Sequence, residues 1–184
     1  MSLFNSYCEA VSKGELSDIH LHYHDTEYGF STNDDNVLFG RLILEINQAG
    51  LSWDIVLKKR EGIKQAYKDF NIDLIASFGK EDIDRLLLNP KIIRMRKKIE
   101  AIIFNAKQIQ NLQKEFGSFK KWLDFQHPKS EIEWIKCFKK TFKFTGNEIT
   151  KEFLLSTSYL PGAHDKSCPI FKKIVAQSPK WKTS

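Results

Sequence analysis

From Asp34 onward the chain repeats one pattern. Apolar residues recur every three to four positions, in blocks closed by glycine or proline, which places them on one face of successive helices. "DDNVLFGRLILEINQAG" carries an aspartate cap at Asp34 or Asp35 and a glycine stop at Gly50. "SWDIVLKKREGIKQAYKDF" starts at a Ser52 cap and predicts one or two further helices, and "GKEDIDRLLLNP" is a short helix closed by Asn89-Pro90. "KIIRMRKKIEAIIFNAKQIQNLQKEFG" predicts a long helix from Lys91 to Gly117, with Ile92, Ile99, Ile102, Ile103 and Ala106 on one face. Three more amphipathic stretches, "SFKKWLDFQHP", "SEIEWIKCFKKTFKF" and "TGNEITKEFLLSTSYLPG", end the helical pattern. Strand alternation and internal repeats are lacking, so an all-α fold in a single domain over 1–184 is expected, with 172–184 as a flexible tail.

The stretch "EDIDRLLLNPKIIRMRKKIEAII" adds a functional hint. A short helix, a tight break at Asn89-Pro90-Lys91 and a basic helix start are what a helix-hairpin-helix needs to present backbone N–H groups to a DNA phosphate. Lys91, Arg94, Arg96, Lys97 and Lys98 would then add counterion-releasing contacts. Composition agrees: 29 lysines and arginines against 23 acids give a net charge of +6, which favours a polyanionic partner. The basic residues cluster in "LKKR", "KIIRMRKK" and "KCFKKTFK", at short connections between helices. No apolar run approaches the roughly 20 residues of a membrane span, and "MSLFNSYCEA" has no secretory character. Three scattered cysteines make no disulfide framework, so a reducing cytoplasm and no membrane partner are expected.

Two local constellations carry chemistry. Near the C-terminus, "PGAHDKSCP" sets His164 and Cys168 four residues apart, half of a tetrahedral zinc site. The other half must lie upstream, because no Cys or His follows Cys168. Cys137 sits within an amphipathic helix and reads as a structural thiol, which leaves Cys8 with one of His20, His22 and His24. The second constellation is Leu38, Leu42, Glu45 and Ala49, spaced i, i+4, i+7 and i+11, which puts a carboxylate on an apolar stripe. An unpaired buried carboxylate is costly, so Glu45 either pairs with Arg41 at the surface or faces a polar ligand. After it, "QAGLSW" places Leu51 and Trp53 at a helix entry, as a hydrophobic staple or as a wedge and a stacking platform.

"YHDTEYGF", "LEINQAGLSWDIVLKKRE", "IIRMRKKIEAIIFNA", "FKFTG" and "HDKSC" follow one another in the order of the 3-methyladenine DNA glycosylase I family, which the chain resembles from about residue 8 to residue 168. The resemblance implies a helix-hairpin-helix glycosylase fold whose termini are joined by a structural zinc on Cys8, His24, His164 and Cys168. It implies that Glu45 hydrogen-bonds the methylated adenine, that Trp53, Tyr23 and Tyr28 line the pocket, and that Gln48 touches the base or its loop. Leu51 would enter the duplex where the damaged nucleotide has left. The implied activity is monofunctional hydrolytic removal of 3-methyladenine from alkylated double-stranded DNA by a monomer. The alternatives are a zinc-stabilised DNA-binding homologue that has lost catalysis and an enzyme with a different lesion. The chain departs from the family pattern at Ala10, His20, Tyr28, Asn147-Glu148, Lys151 and Gly162-Ala163, and Cys8 lies three residues farther from its histidine than is usual.

Overall fold

The computed structural model describes residues 6–183. Met1 to Asn5, part of the stretch read for secretory character, and Ser184 lie outside the described residues. No strand occurs among the described residues, and eleven α-helices account for most of them. They are α1 (Tyr7–Ser12), α2 (Asp18–Thr26), α3 (Asp35–Gln48), α4 (Trp53–Ala66), α5 (Ile72–Ala76), α6 (Lys80–Leu88), α7 (Arg96–Phe116), α8 (Phe119–Gln126), α9 (Glu131–Thr141), α10 (Asn147–Ser156) and α11 (Pro169–Ala176). No helix among the described residues is long and apolar enough to cross a membrane. Where the sequence suggests one domain, the contacts divide the chain into two compact units: one built from both chain ends, up to Ser31 and from Leu154, the other from Thr32 to Phe153.

In the central unit α7 is the axis, and α3, α5, α6 and α8 pack on it. Its buried face carries Ile99, Ala101, Ile102, Ile103, Ala106 and Ile109, the 3–4 spacing seen in the sequence. Phe119, Trp122, Trp134, Phe138, Phe142 and Phe153 form a second cluster of buried rings. Each such ring contributes about 1.5–3 kcal/mol by leaving water. Asp35 fixes the start of α3 against α8. Its carboxylate accepts from the backbone N–H groups of Phe119 (2.8 Å) and Lys120 (2.9 Å) and from Gln113 Nε2 (2.7 Å). An anion there satisfies orphan donors at the positive end of α8.

The hairpin differs from its expected form. Helix α7 begins at Arg96, not at Lys91, and residues 89–95 are turn and loop. Asn89 Oδ1 accepts from the Lys91 N–H at 2.9 Å, an Asx turn that holds the chain open before the helix. Ile92 is still buried, but from the loop rather than from a helical face.

The unit made of the chain ends contains α1, α2 and α11. The segment expected as a flexible tail instead completes α11 and ends in a 3-10 turn at Lys180–Lys182. Its Trp181 anchors it: the indole stacks on Phe171 at 6.3 Å, and both rings pack on the cluster of Cys8, Cys168, Ile170 and Ile174.

Candidate metal centre and base pocket

Four side chains converge in the unit built from the chain ends. Cys8 lies on α1, whose N-terminus is capped by Ser6 Oγ accepting from the Glu9 N–H at 3.1 Å. His24 lies in the last turn of α2, His164 in the loop after α10, and Cys168 is the N-cap of α11, where Pro169 suits the first helical turn. Their ligand atoms all lie within 4.8 Å of one another. Cys8 Sγ stands 3.4 Å from both His24 Nε2 and His164 Nδ1, and Cys168 Sγ stands 3.8 and 3.6 Å from the same two nitrogens. A zinc ion at its usual bond lengths sets tetrahedral sulfur–nitrogen edges of about 3.6 Å, so the cluster can hold a metal ion of this kind.

The surroundings fit the same reading. His24 Nδ1 bonds Asp25 Oδ1 at 2.6 Å, and His164 Nε2 bonds the Tyr28 carbonyl at 2.8 Å. Each imidazole thus has its outer nitrogen fixed by an acceptor and its inner one turned to the cluster, the arrangement that orients metal-ligating histidines. Gly29 is required beside it. Its φ is +80°, and a Cβ there would meet Ala163 Cβ at 2.9 Å and His164 Cδ2 at 3.2 Å. Burial pushes the Cys8 thiol up to about 12 and holds His164 below the usual imidazole range. A buried thiol becomes a thiolate here only beside a cation, which a bound metal supplies. Of the three clustered histidines only His24 joins this set. His20 Nδ1 bonds the Tyr7 hydroxyl at 3.0 Å, and His22 is exposed. Cys137 is half-buried on α9, outside the cluster.

The central unit holds the second site. A cavity of about 310 Å³ is lined by Glu45, Gln48, Ala49, Gly50 and Leu51, and by Glu148, Ile149 and Glu152 of α10. Glu45 is only 4% exposed, so the surface pair with Arg41 is excluded. Among the described residues its carboxylate accepts no hydrogen bond. Burial, then the charge of Glu152, hold the Glu45 carboxyl well above the usual range, and the Arg41 guanidinium offsets part of this. Past α3 the chain turns through Gly50 at φ +79°, which exposes Leu51 (37%) at the rim of the cavity before Ser52 caps α4. Trp53, the first residue of α4, is half-buried and stands outside that lining. Tyr23 and Tyr28 belong to the unit built from the chain ends, where both are buried with ring centroids 5.7 Å apart.

The basic residues divide. Lys91 and Arg94 are exposed on the hairpin. Arg96 is exposed too, but its guanidinium meets Asp84 at 3.2 Å and Glu100 at 3.7 Å. Lys98 overturns its expectation: it is 2% exposed, with Nζ donating to the carbonyls of Asn47 (2.8 Å) and Ala49 (2.7 Å). It closes the C-terminal end of α3 and is not a phosphate contact, because those carbonyls have no intrahelical partner of their own.

Comparison with known proteins decides the family. The methyladenine glycosylase family model matches residues 13–145. The chain belongs to this family. It is 33% identical over 174 residues to the DNA-3-methyladenine glycosylase of Haemophilus influenzae, covering 85% of this chain and 94% of that protein. Over 100 residues it is 43% identical to DNA-3-methyladenine glycosylase 1 of Escherichia coli, covering 54% of this chain and 52% of that one. Among solved structures, a variant of 3-methyladenine DNA glycosylase I in complex with 3-methyladenine superposes with a TM-score of 0.79 at 32% identity, covering 86% of this chain and 95% of its own. The enzyme from Staphylococcus aureus gives the same TM-score at 31% identity, covering 90% and 97%. The fold of this methyladenine glycosylase homologue is therefore that of the helical 3-methyladenine glycosylases. The carboxylates Glu148 and Glu152 and the histidine partners Asp25 and the Tyr28 carbonyl were not singled out as site residues by the sequence reading, and Lys98 was read as a DNA contact instead of the buried partner of the α3 carbonyls. An acidic pair at i, i+4 on α10 is the one signal that was visible.

Proposed function

We propose that this protein removes 3-methyladenine from alkylated duplex DNA by flipping the nucleotide out and hydrolysing its N-glycosidic bond, without cutting the strand. The buried carboxylate of Glu45 on the wall of the cavity carries the reading. A base within a duplex cannot reach such a wall, so the nucleotide must leave the stack, at a cost of a few kcal/mol. Leu51, exposed at the rim, would fill the gap it leaves. Methylation at N3 makes adenine cationic. The ring then gains from Glu45 as a counter-charge and from the face of Trp53 as a cation–π partner, worth about 0.5–2 kcal/mol. Gln48 supplies a further polar contact from the cavity lining. The methylated base is a good leaving group, so the carbon–nitrogen bond breaks as water adds to the sugar carbon. The products are free base and an abasic site.

The Cys8, His24, His164 and Cys168 cluster is proposed to hold one structural zinc ion, with all four positions filled by protein and none left for water. Its thiols need a reducing compartment, for which the cytoplasm suffices. Lys91 and Arg94 on the exposed hairpin are proposed to meet the DNA backbone, and a monomer is sufficient for all of these roles.

The test is direct. Purified protein is incubated with DNA methylated in vitro, and released bases are separated by chromatography while strand integrity is followed on a denaturing gel. Free 3-methyladenine with uncut, alkali-labile strands is expected. Binding with no base released would instead establish a zinc-stabilised DNA-binding homologue, and release of another purine alone would move the lesion.

A further inference from the structure

The loop that carries Leu51 is held at its base rather than at its tip. A Cβ on Gly50 would meet nothing within 4 Å, and Leu51 is 37% exposed. At the base, three consecutive carbonyls each have a donor. The Leu51 N–H donates to the Gln48 carbonyl at 2.7 Å, and the Lys98 ammonium donates to the carbonyls of Asn47 and Ala49 on either side. The Ala49 carbonyl lies beyond the last residue of α3, so Lys98 grips the loop as well as the helix. Gly50 at φ +79° already supplies a glycine stop. A buried ammonium is costly to desolvate, and ending α3 does not by itself require one.

Lys98 is also the third residue of α7, directly after the hairpin of residues 89–95. That hairpin is clamped to α4, the helix that follows the Leu51 loop. Lys59 Nζ donates to the Pro90 carbonyl at 2.7 Å. The Lys91 backbone lies so close to α4 at Gly62 that a Cβ there would meet the Lys91 carbonyl oxygen at 2.6 Å. Both flanks of the loop are therefore tied to the hairpin within the central unit, α3 through Lys98 and α4 through Lys59 and Gly62.

We propose that Lys98 is a positioning residue for nucleotide extrusion: it locks the Leu51 loop to the hairpin, so that docking of the hairpin on the DNA backbone brings Leu51 to the base stack at one defined step. The proposal rests on the glycosylase reading, in which Lys91 and Arg94 meet phosphates and Leu51 enters the duplex. Phosphate contacts set a protein's register on the duplex, and the Lys98 link passes that register to the loop. A loop free of its anchor would have to be ordered at the moment of insertion, which costs conformational entropy for every residue fixed. Lys98 commits its ammonium to the two carbonyls and acts through the backbone, not on the base.

Insertion is read from the fluorescence of 2-aminopurine placed beside a tetrahydrofuran abasic analogue in duplex DNA, at saturating protein and a temperature where wild type and variants are folded. Single-turnover base release from methylated DNA and the dissociation constant for that duplex are measured in parallel. Lys98→Met is expected to lose most of the fluorescence rise and to slow release about tenfold, as Leu51→Ala does, because a small misplacement at a reacting centre is expensive. Its dissociation constant should stay within about threefold of wild type, since the phosphate contacts are kept. Ile109→Ala opens a cavity further along α7, lowers stability without touching the loop, and should keep the wild-type signal and rate. If Lys98→Met does not fold, Gly62→Ala carries the test: its methyl group displaces the hairpin from α4 with no change of charge, and the same losses are expected. Wild-type fluorescence and release in either folded variant, or equal losses in Ile109→Ala, overturn the proposal. With 3-methyladenine released by wild type, such a result leaves the glycosylase reading standing; no base released by wild type removes both.

Discussion

Glu45→Gln should make the protein more stable and a poorer enzyme at once. The carboxyl is nearly fully buried, accepts no hydrogen bond among the described residues and has Glu152 as a like-charged neighbour, so its folded pKa lies well above the ordinary value of 4.5. The sign follows from linkage. In a window beginning near pH 4.5 the unfolded chain ionises while the folded protein keeps its proton, so this group's contribution to stability is present at low pH and lost as pH rises through the folded value. Glutamine has the same shape and no charge to bury. Removing such a functional-site strain commonly yields about 1 kcal/mol, a rise in Tm of about 2–4 °C for a chain of this size. The rise should be largest at neutral pH and shrink toward pH 4. Excision moves the other way, because the amide keeps an acceptor but loses the charge facing the cationic ring. A charged hydrogen bond is worth about 1.5–3 kcal/mol, a loss of roughly ten- to hundredfold in kcat/KM. Thermal melts between pH 4 and 8, paired with base release from methylated DNA, measure both effects. A variant that melts below wild type at every pH and excises as fast would refute the reasoning, since Glu45 would then be a paired structural acid.

Three further outcomes are expected. Elemental analysis of the purified protein should find about one zinc per chain, and Cys168→Ser should lose the metal and lower Tm, whereas Cys137→Ser should do neither. Lys98→Met should destabilise by about 2–5 kcal/mol in urea unfolding, because the Asn47 and Ala49 carbonyls are left buried without a donor, yet leave the salt dependence of DNA binding by the folded fraction unchanged. Arg94→Ala, at an exposed hairpin position, should reduce the slope of log affinity against log salt by about one and leave Tm within 1–2 °C. A slope that falls for Lys98→Met but not for Arg94→Ala would place the phosphate contacts elsewhere.

Legibility in the sequence tracks the range of the interactions concerned. Helix α3 was readable almost to the residue, because an aspartate cap, an apolar stripe and a glycine turn are local signals. Helix α7 was placed five residues too early because Ile92 continues its apolar spacing, although the Asn89 turn keeps that residue in a loop. Helices α1 and α2 are short and largely polar; contacts with the other end of the chain define them. A helical reading of α2 would have helped with the Cys/His cluster. His20 and His24 share a face and His22 does not, and only then does Tyr7, holding His20, leave His24 to join the Cys8, His164 and Cys168 cluster. Burial of Lys98 left no local trace. It lies among the charges of "RMRKK", and only the fold brings the end of α3 to its ammonium.

That ammonium bears on how the fold tolerates Glu45. The last turn of a helix carries partial negative charge on carbonyls that lack intrahelical partners, so a carboxylate there meets its own helix as a like charge. Glu45 occupies this turn of α3, and two cations serve the same helix: Arg41 one turn earlier, and Lys98 across its C-terminal end. Their tasks differ. Lys98 commits its donors to the Asn47 and Ala49 carbonyls, which neutralises the helix end and fixes the backbone from which Gln48, Gly50 and Leu51 line the cavity. Arg41 lowers the charge repulsion felt by Glu45 but does not bring its carboxyl back to the ordinary range. Had Lys98 instead paired with Glu45, the pocket would be electrically satisfied and a cationic base would have to displace an ion pair to enter. By committing the Lys98 ammonium to the backbone, the fold leaves the Glu45 carboxyl without a hydrogen-bond donor among the described residues, which is the condition the proposed recognition of a cationic base needs.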